Sequence, residues 1–313
     1  MLLIMFKKLL KKLACVTMLA CLSVPLVAAA ACNVETKHPK VRITVEFNSK
    51  SYDLNYTLYR NMYPNTVRRF IELADSGFYS NMLIHDYQSN DWFSGGYTYD
   101  KAEYDAAVEI NALTDYLEGH SKEQQFMELF NANKISKTVY AEYAYSGGSQ
   151  VVVADSALPT LIGEFYNNVK QEIKKGELTA EQGTLKMFYY EKESTQKVHV
   201  DTKNKKNEII WNADYKTNCA TTLFAMQVSS SSAYSESDYC VFGKMESTTA
   251  LTNLMNAISD YYGDDVESVT VSDVSVDNIV GDYSNEPADK GTEVNFTLPA
   301  SPIVIKSVKV TKY

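Results

Sequence analysis

Apolar and polar residues alternate along K-V-R-I-T-V-E-F, residues 40–47, and the β-branched side chains at alternate places predict a half-buried strand. A polar turn over Asn48 to Ser51 leads to a second strand, Tyr52 to Tyr59. The period then changes. Pro64 suits the first turn of a helix, where its missing N–H is harmless, and Val67, Phe70, Ile71 and Ala74 make one apolar face that Gly77 ends. Met82 to His85 reads as the next strand, and Gly95-Gly96 as a tight bend of the backbone.

From residue 101 the pattern is helical. A-E-Y-D-A-A-V-E-I-N-A-L-T-D-Y-L-E-G predicts one helix, and Ser121 with Gln124 forms a capping-box signal for a second, K-E-Q-Q-F-M-E-L-F. Strand-like patches return at Val139 to Tyr145 and Val151 to Val153, followed by a third helix, Ile162 to Lys174, ending at Gly176. Further strands are predicted at 183–190, 220–227 and 238–245, then a helix from Thr249 to Ser259. V-T-V-S-D-V-S-V at 269–276 and P-I-V-I-K-S-V-K-V at 302–310 alternate again, and no period repeats along the chain. Many strands with few helices predict an antiparallel barrel carrying helical insertions.

The first 31 residues differ in kind. A basic head with Lys7, Lys8, Lys11 and Lys12 precedes an apolar run broken by Pro25, the arrangement of a secretory signal. Ala29-Ala30-Ala31-Cys32 resembles the lipobox of bacterial lipoproteins, with Ala29 where that box prefers Leu. The expectation is therefore an exported protein lipidated at Cys32 and tethered to a bacterial membrane without spanning it. Residues 32–39 read as a linker and 40–313 as the folded domain.

Charge narrows the partners. Loss of the four signal lysines takes the formal charge from −9 to −13, which argues against nucleic acid. Histidines at 38, 85, 120 and 199 have no zinc spacing, no nucleophile-elbow motif accompanies them, and neither metal nor cofactor is expected. Beyond Cys32 only Cys219 and Cys240 remain, compatible with one disulfide or with two buried thiols. The 23 tyrosines suit barrel and rim positions, and also a peptide-binding face.

Taken in order, the segments resemble a cyclophilin. V-R-I-T-V-E-F, Y-P-N-T-V-R-R-F-I-E-L-A-D-S-G-F-Y and I-H-D followed by G-G look like its opening strand, its P-x-T-V-x-N-F helix and its F-H-R…G-G segment. I-G-E-F, G-T-L-K-M, T-T-L-F-A, V-F-G-K-M and P-I-V-I-K-S-V resemble later blocks in the same order. The resemblance implies a mainly β fold, a cyclophilin-like closed antiparallel barrel capped by helices, with insertions at about 101–158 and 190–218 bordering the family's groove. It also implies a peptidyl-prolyl cis-trans isomerase, or foldase, that acts on Xaa-Pro bonds of exported proteins. The alternative is a weak or inactive relative that binds peptides or proteins. Rotation about an Xaa-Pro bond faces a barrier of roughly 18–20 kcal/mol, and the family lowers it with an arginine that donates to the prolyl nitrogen beside an apolar pocket.

Carried onto this chain, the arginine position is Asp86, which when ionised only accepts hydrogen bonds. The pocket phenylalanine and methionine fall on Asp91 and Trp92, or a one-residue slip gives Trp92 the phenylalanine role; the glutamine falls on Ser94. Along the neighbouring wall the positions are Phe188, Tyr189, Thr222 and Phe224, and those near V-F-G are Tyr234 and Tyr239. Arg68, Arg69 and Lys186 are the other candidate cations, each expected to be a solvated charge.

Overall fold

The computed structural model describes residues 37–146, 149–158, 161–162, 164, 178–191, 198–203, 209–215, 218–234, 239–263, 267–276 and 292–313. Strands β1 (Lys40–Phe47) and β2 (Lys50–Leu58) pair antiparallel, Phe47 opposite Lys50, through the two-residue turn Asn48-Ser49. Both turn residues have positive φ, 47° and 61°, which suits the twist of a tight hairpin. Alternation is strict in β1: Val41, Ile43, Val45 and Phe47 are buried, and the residues between them are half-buried.

The main sheet also holds β3 (Met82–Leu83), β4 (Asp86–Tyr87), β5 (Asp91–Ser94), β8 (Leu161–Ile162), β9 (Thr184–Glu191), β12 (Asn218–Gln227), β13 (Tyr239–Met245) and β16 (Val304–Lys312). Its order is β3-β16-β1-β2-β13-β9-β12-β5-β4, with β8 against β12, and every pairing is antiparallel. The two end strands, β3 and β4, belong to one segment, residues 82–87, so the ladder returns on itself. Helix α1 (Pro64–Asp75) buries Val67, Phe70, Leu73 and Ala74 against this sheet. Its first turn is capped from far along the chain: the Glu164 carboxylate accepts the Asn65 and Thr66 N–H groups at 3.1 and 2.8 Å. Gly95, at φ +107°, is required, since a Cβ there would lie 2.3 Å from the Thr222 carbonyl oxygen.

The single helix expected over 102–119 is two helices, α2 (Lys101–Glu109) and α3 (Leu113–Gly119). The break falls where Asn111 takes φ 55°, a left-handed conformation that ends a helix. Helix α4 (Glu123–Asn131) follows. The expected third helix begins instead as β8, and residues 165–174 lie outside the described part. Strands β6 (Thr138–Ser146) and β7 (Ser149–Leu158) join β10 (Val198–Lys203) and β11 (Ile209–Tyr215) in a second sheet, ordered β11-β10-β6-β7, so both expected insertions contribute to it. Helix α5 (Thr249–Tyr262) ends at Gly263, φ 81°. Last, β14 (Ser268–Val276) and β15 (Thr292–Pro299) form a separate two-stranded ribbon.

Candidate functional site

Asp86 of β4 pairs with Phe93 of β5, and Tyr87 with Trp92. Side chains alternate across a strand, so Asp86, Asp91 and Phe93 share one face while Trp92 and Ser94 share the other. Register carries this division across the sheet. Phe93 lies opposite Ala225 and Ser94 opposite Phe224, and on the next strand Ala225 lies opposite Lys186 and Phe224 opposite Met187. The expected pocket residues are thereby split. Phe224 packs into the core with its ring 5.3 Å from Phe70 and 5.3 Å from Tyr79, on the face away from Phe188. Trp92 stacks on Tyr87 at 5.1 Å, Ser94 donates to the Leu83 carbonyl at 2.9 Å, and Thr222 donates to the Gly95 carbonyl at 2.7 Å.

The Asp86 face is lined by aromatic rings. Phe93 lies 5.0 Å from Phe188 and 5.6 Å from Tyr234, and Phe188 lies 5.0 Å from Tyr234 and 5.5 Å from Tyr239. Phe93, which the resemblance did not name, belongs to this wall. The alternation within D-W-F-S is the signal for it, because any strand there that exposes Asp86 and Asp91 to one face must send Phe93 the same way. Exposure is 0% for Phe93 and 4% each for Phe188 and Tyr239, so the wall is buried. Tyr189 is a β9 residue opposite Ala220, its side chain outside the described part, as is Cys32.

Asp86 is itself buried and engaged. Its Oδ1 accepts the Thr297 N–H of β15 at 3.0 Å, and its Oδ2 accepts from the Gln88 amide at 2.6 Å. The Gln88 carbonyl oxygen accepts the Tyr234 hydroxyl at 2.9 Å, which links the aspartate to the aromatic wall. The β14–β15 ribbon thus roofs β4. Phe296 sits 5.1 Å from the His85 ring and 5.7 Å from Tyr97, and the ribbon is fastened to α3 by Thr114 on the Ser272 carbonyl and by the Ser275 N–H on Glu118. His85 is enclosed with them, and burial pushes its pKa down to about 3, leaving a neutral imidazole.

Lys186 corrects the sequence expectation of a solvated charge. Its ammonium is 2.7 Å from Asp91 Oδ1 with both side chains at 0% exposure. It also donates to Ser232 at 2.7 Å and stands 4.6 Å from the Tyr239 ring centroid, so its charge is met on three sides. Burial works against both charges, drawing the lysine down and the aspartate up, and the contact between them opposes each shift. Arg69 is likewise buried, donating to the Ser136 carbonyl at 2.8 Å with its guanidinium over Phe126, whereas Arg68 is exposed as expected. Cys240 is a buried thiol rather than half of a disulfide.

The model of the family described as cyclophilin type peptidyl-prolyl cis-trans isomerase/CLD matches residues 42–279. Among solved structures, a cyclophilin type peptidyl-prolyl cis-trans isomerase of Cryptosporidium parvum is 15% identical with a TM-score of 0.36, over 88% of this chain and 99% of its own. The same protein in the presence of the dipeptide Ala-Pro gives 16% and 0.35 over 88% and 99%. The Mimivirus cyclophilin gives 10% and 0.37 over 74% of this chain and 85% of its own. No curated protein sequence matches. With a match running from β1 into the segment after β14, well over half its length, the chain belongs to the cyclophilin-type peptidyl-prolyl cis-trans isomerase family.

Proposed function

We propose that this chain is an exported, lipid-anchored member of the family that holds a protein partner and does not turn over Xaa-Pro bonds. The observation that carries the reading is Asp86. An acceptor occupies the arginine position, and both of its oxygens are committed to Thr297 and Gln88. The cation nearest in register, Lys186, is spent on Asp91, Ser232 and Tyr239. The prolyl nitrogen therefore lacks the charged donor that the family uses, an interaction worth roughly 1.5–3 kcal/mol, or about 10- to 150-fold in rate. The burial of Phe93, Phe188 and Tyr239 supports the same reading, since these rings are turned inward and not offered to a proline ring.

The test is prolyl isomerisation of a proline-containing tetrapeptide by the full chain. The expected result is a rate at background even at high protein concentration, and a clear protein-dependent rate would overturn the proposal. A second reading, a weak foldase for Xaa-Pro bonds of exported proteins, has in its favour the aromatic wall on the same face as Asp86. Phe188→Ala would abolish its rate. Export and anchoring rest on the basic-then-apolar leader and on Cys32. Labelled palmitate should enter the chain in bacterial cells and be lost in Cys32→Ala. A labelled Cys32→Ala variant would sink the anchoring claim.

A further inference from the structure

A cleft of about 600 Å³ opens elsewhere and shares no residue with the β4–β5 face. Its walls come from the end of β1, from Tyr99 and helix α2, from the last turn of α5 and from the turn between β15 and β16. Three tyrosines line it, Tyr99, Tyr104 and Tyr261, together with the carboxylates of Glu46, Asp105 and Glu109. The volume falls within the roughly 300–1,000 Å³ of ligand sites.

Two independent features mark this cleft. Among the described residues, four large apolar side chains are exposed: Val108 at 48%, Ile110 at 75%, Tyr261 at 54% and Val269 at 38%. Val108 and Tyr261 line the cleft, and Ile110 caps the helix that forms its wall. Exposed apolar groups gathered at the rim of a concavity mark an interaction site more often than scattered ones do. The second feature is charge. Lys101 is held by Asp105 at 2.6 Å and Lys306 stands 3.9 Å from Glu46, which leaves Glu109 with no ion-pair partner among the described residues. Burial holds the Tyr99 hydroxyl above its ordinary pKa, with Asp105, Glu46 and Asp100 adding to the shift against the opposing Lys101. The lining is acidic on balance.

The complement of tyrosine faces, acceptor-only carboxylates and an apolar rim is a planar cation carried between apolar neighbours. A guanidinium stacks on tyrosine and presents five donors in a fork that fits carboxylates, which a compact ammonium does not. We propose that this cleft binds an arginine-bearing segment of a partner protein, with residues beside the arginine resting on Val108 and Ile110. The inference assigns a place to the binding role proposed above. The two fail separately, since cleft substitutions leave the isomerisation assay unmoved.

The experiment is fluorescence anisotropy with a labelled Gly-Leu-Arg-Tyr-Gly peptide, its citrulline analogue and a neutral oligosaccharide, titrated with the full chain. Saturable binding is expected with a dissociation constant on the order of 10–100 µM, modest because a short flexible peptide must be ordered. Citrulline in place of arginine should weaken it at least tenfold, and Tyr261→Ala and Glu109→Gln at least fivefold each, with unchanged unfolding midpoints. Equal binding of the citrulline peptide, preference for the oligosaccharide, or no binding below about 1 mM would each overturn the proposal.

Discussion

The β4–β5 face and the tyrosine cleft are made from the same residue types put to opposite ends. On the first, Tyr234 and Tyr239 pack against phenylalanines and a lysine–aspartate pair is sealed at 0% exposure. In the second, Tyr261 is more than half exposed and its lysines pair with half-exposed or exposed carboxylates. Composition cannot separate the two. What separates them is enclosure: the first face is buried, and the second opens to solvent. Charges sealed away from water must answer one another, and removing either leaves the other stranded. Charges at an open rim retain their capacity, at little consequence for stability.

The sharpest way to break this contrast is to remove one partner of the sealed pair. Lys186→Met leaves Asp91 buried and unpaired, and its Oδ2 already has no partner among the described residues. A loss of about 3–5 kcal/mol in urea unfolding is expected, with much of it recovered in a Lys186→Met, Asp91→Leu double variant. A loss below about 1 kcal/mol in the single variant would mean that the pair is solvated like those of the cleft.

Next comes acid. His85 has a folded pKa near 3 against an ordinary value of 6.5, so the unfolded chain binds the proton first as pH falls. Its stabilisation is complete above about pH 6.5 and is lost at about 1.4 kcal/mol per pH unit on the way down to 3. Unfolding free energies measured from pH 7 to 4 should fall less steeply in His85→Phe by about that slope. Parallel curves would place the histidine outside the roofed region.

Smaller again is the roof's own fastening. Asp86→Leu strands the Thr297 N–H and the Gln88 amide and should cost about 1–3 kcal/mol, with faster hydrogen exchange along β15. Unchanged exchange there would mean that Phe296 and the contacts to α3 hold the ribbon unaided. The least effect on stability belongs to the cleft, where Tyr261→Ala and Glu109→Gln should each stay within about 0.5 kcal/mol of the natural protein.

The elements legible in the sequence were those whose contacts are local. β1, β2 and α1 declare themselves by period, and Gly95-Gly96 by the paired glycines of a tight bend. The family blocks gave the chain order of the strands, and their pairing came from the structure. The site is less legible, for two physical reasons. Lys186 in a strand looks like the polar half of an alternation, and only the pairing of β9 with β12 and of β12 with β5 brings Asp91 beside it. The roof was invisible because a ribbon's strands announce themselves while its docking does not: nothing near Thr297 says that its N–H will find a carboxylate 211 residues earlier. Phe224 and Phe188, both aligned with pocket residues, lie on opposite faces of the sheet, since identity of residue type does not carry the strand's two-fold alternation with it.

The closure of the main sheet through residues 82–87 also sets an order of events during synthesis. β16 lies between β1 and β3, so a chain made only as far as residue 300 has β1 and β3 both unpaired on the side that β16 will fill. Two open edges on an apolar sheet invite pairing with any extended strand nearby. The native ladder cannot close until residues 304–312 arrive, so the last strand made is the one that covers both edges.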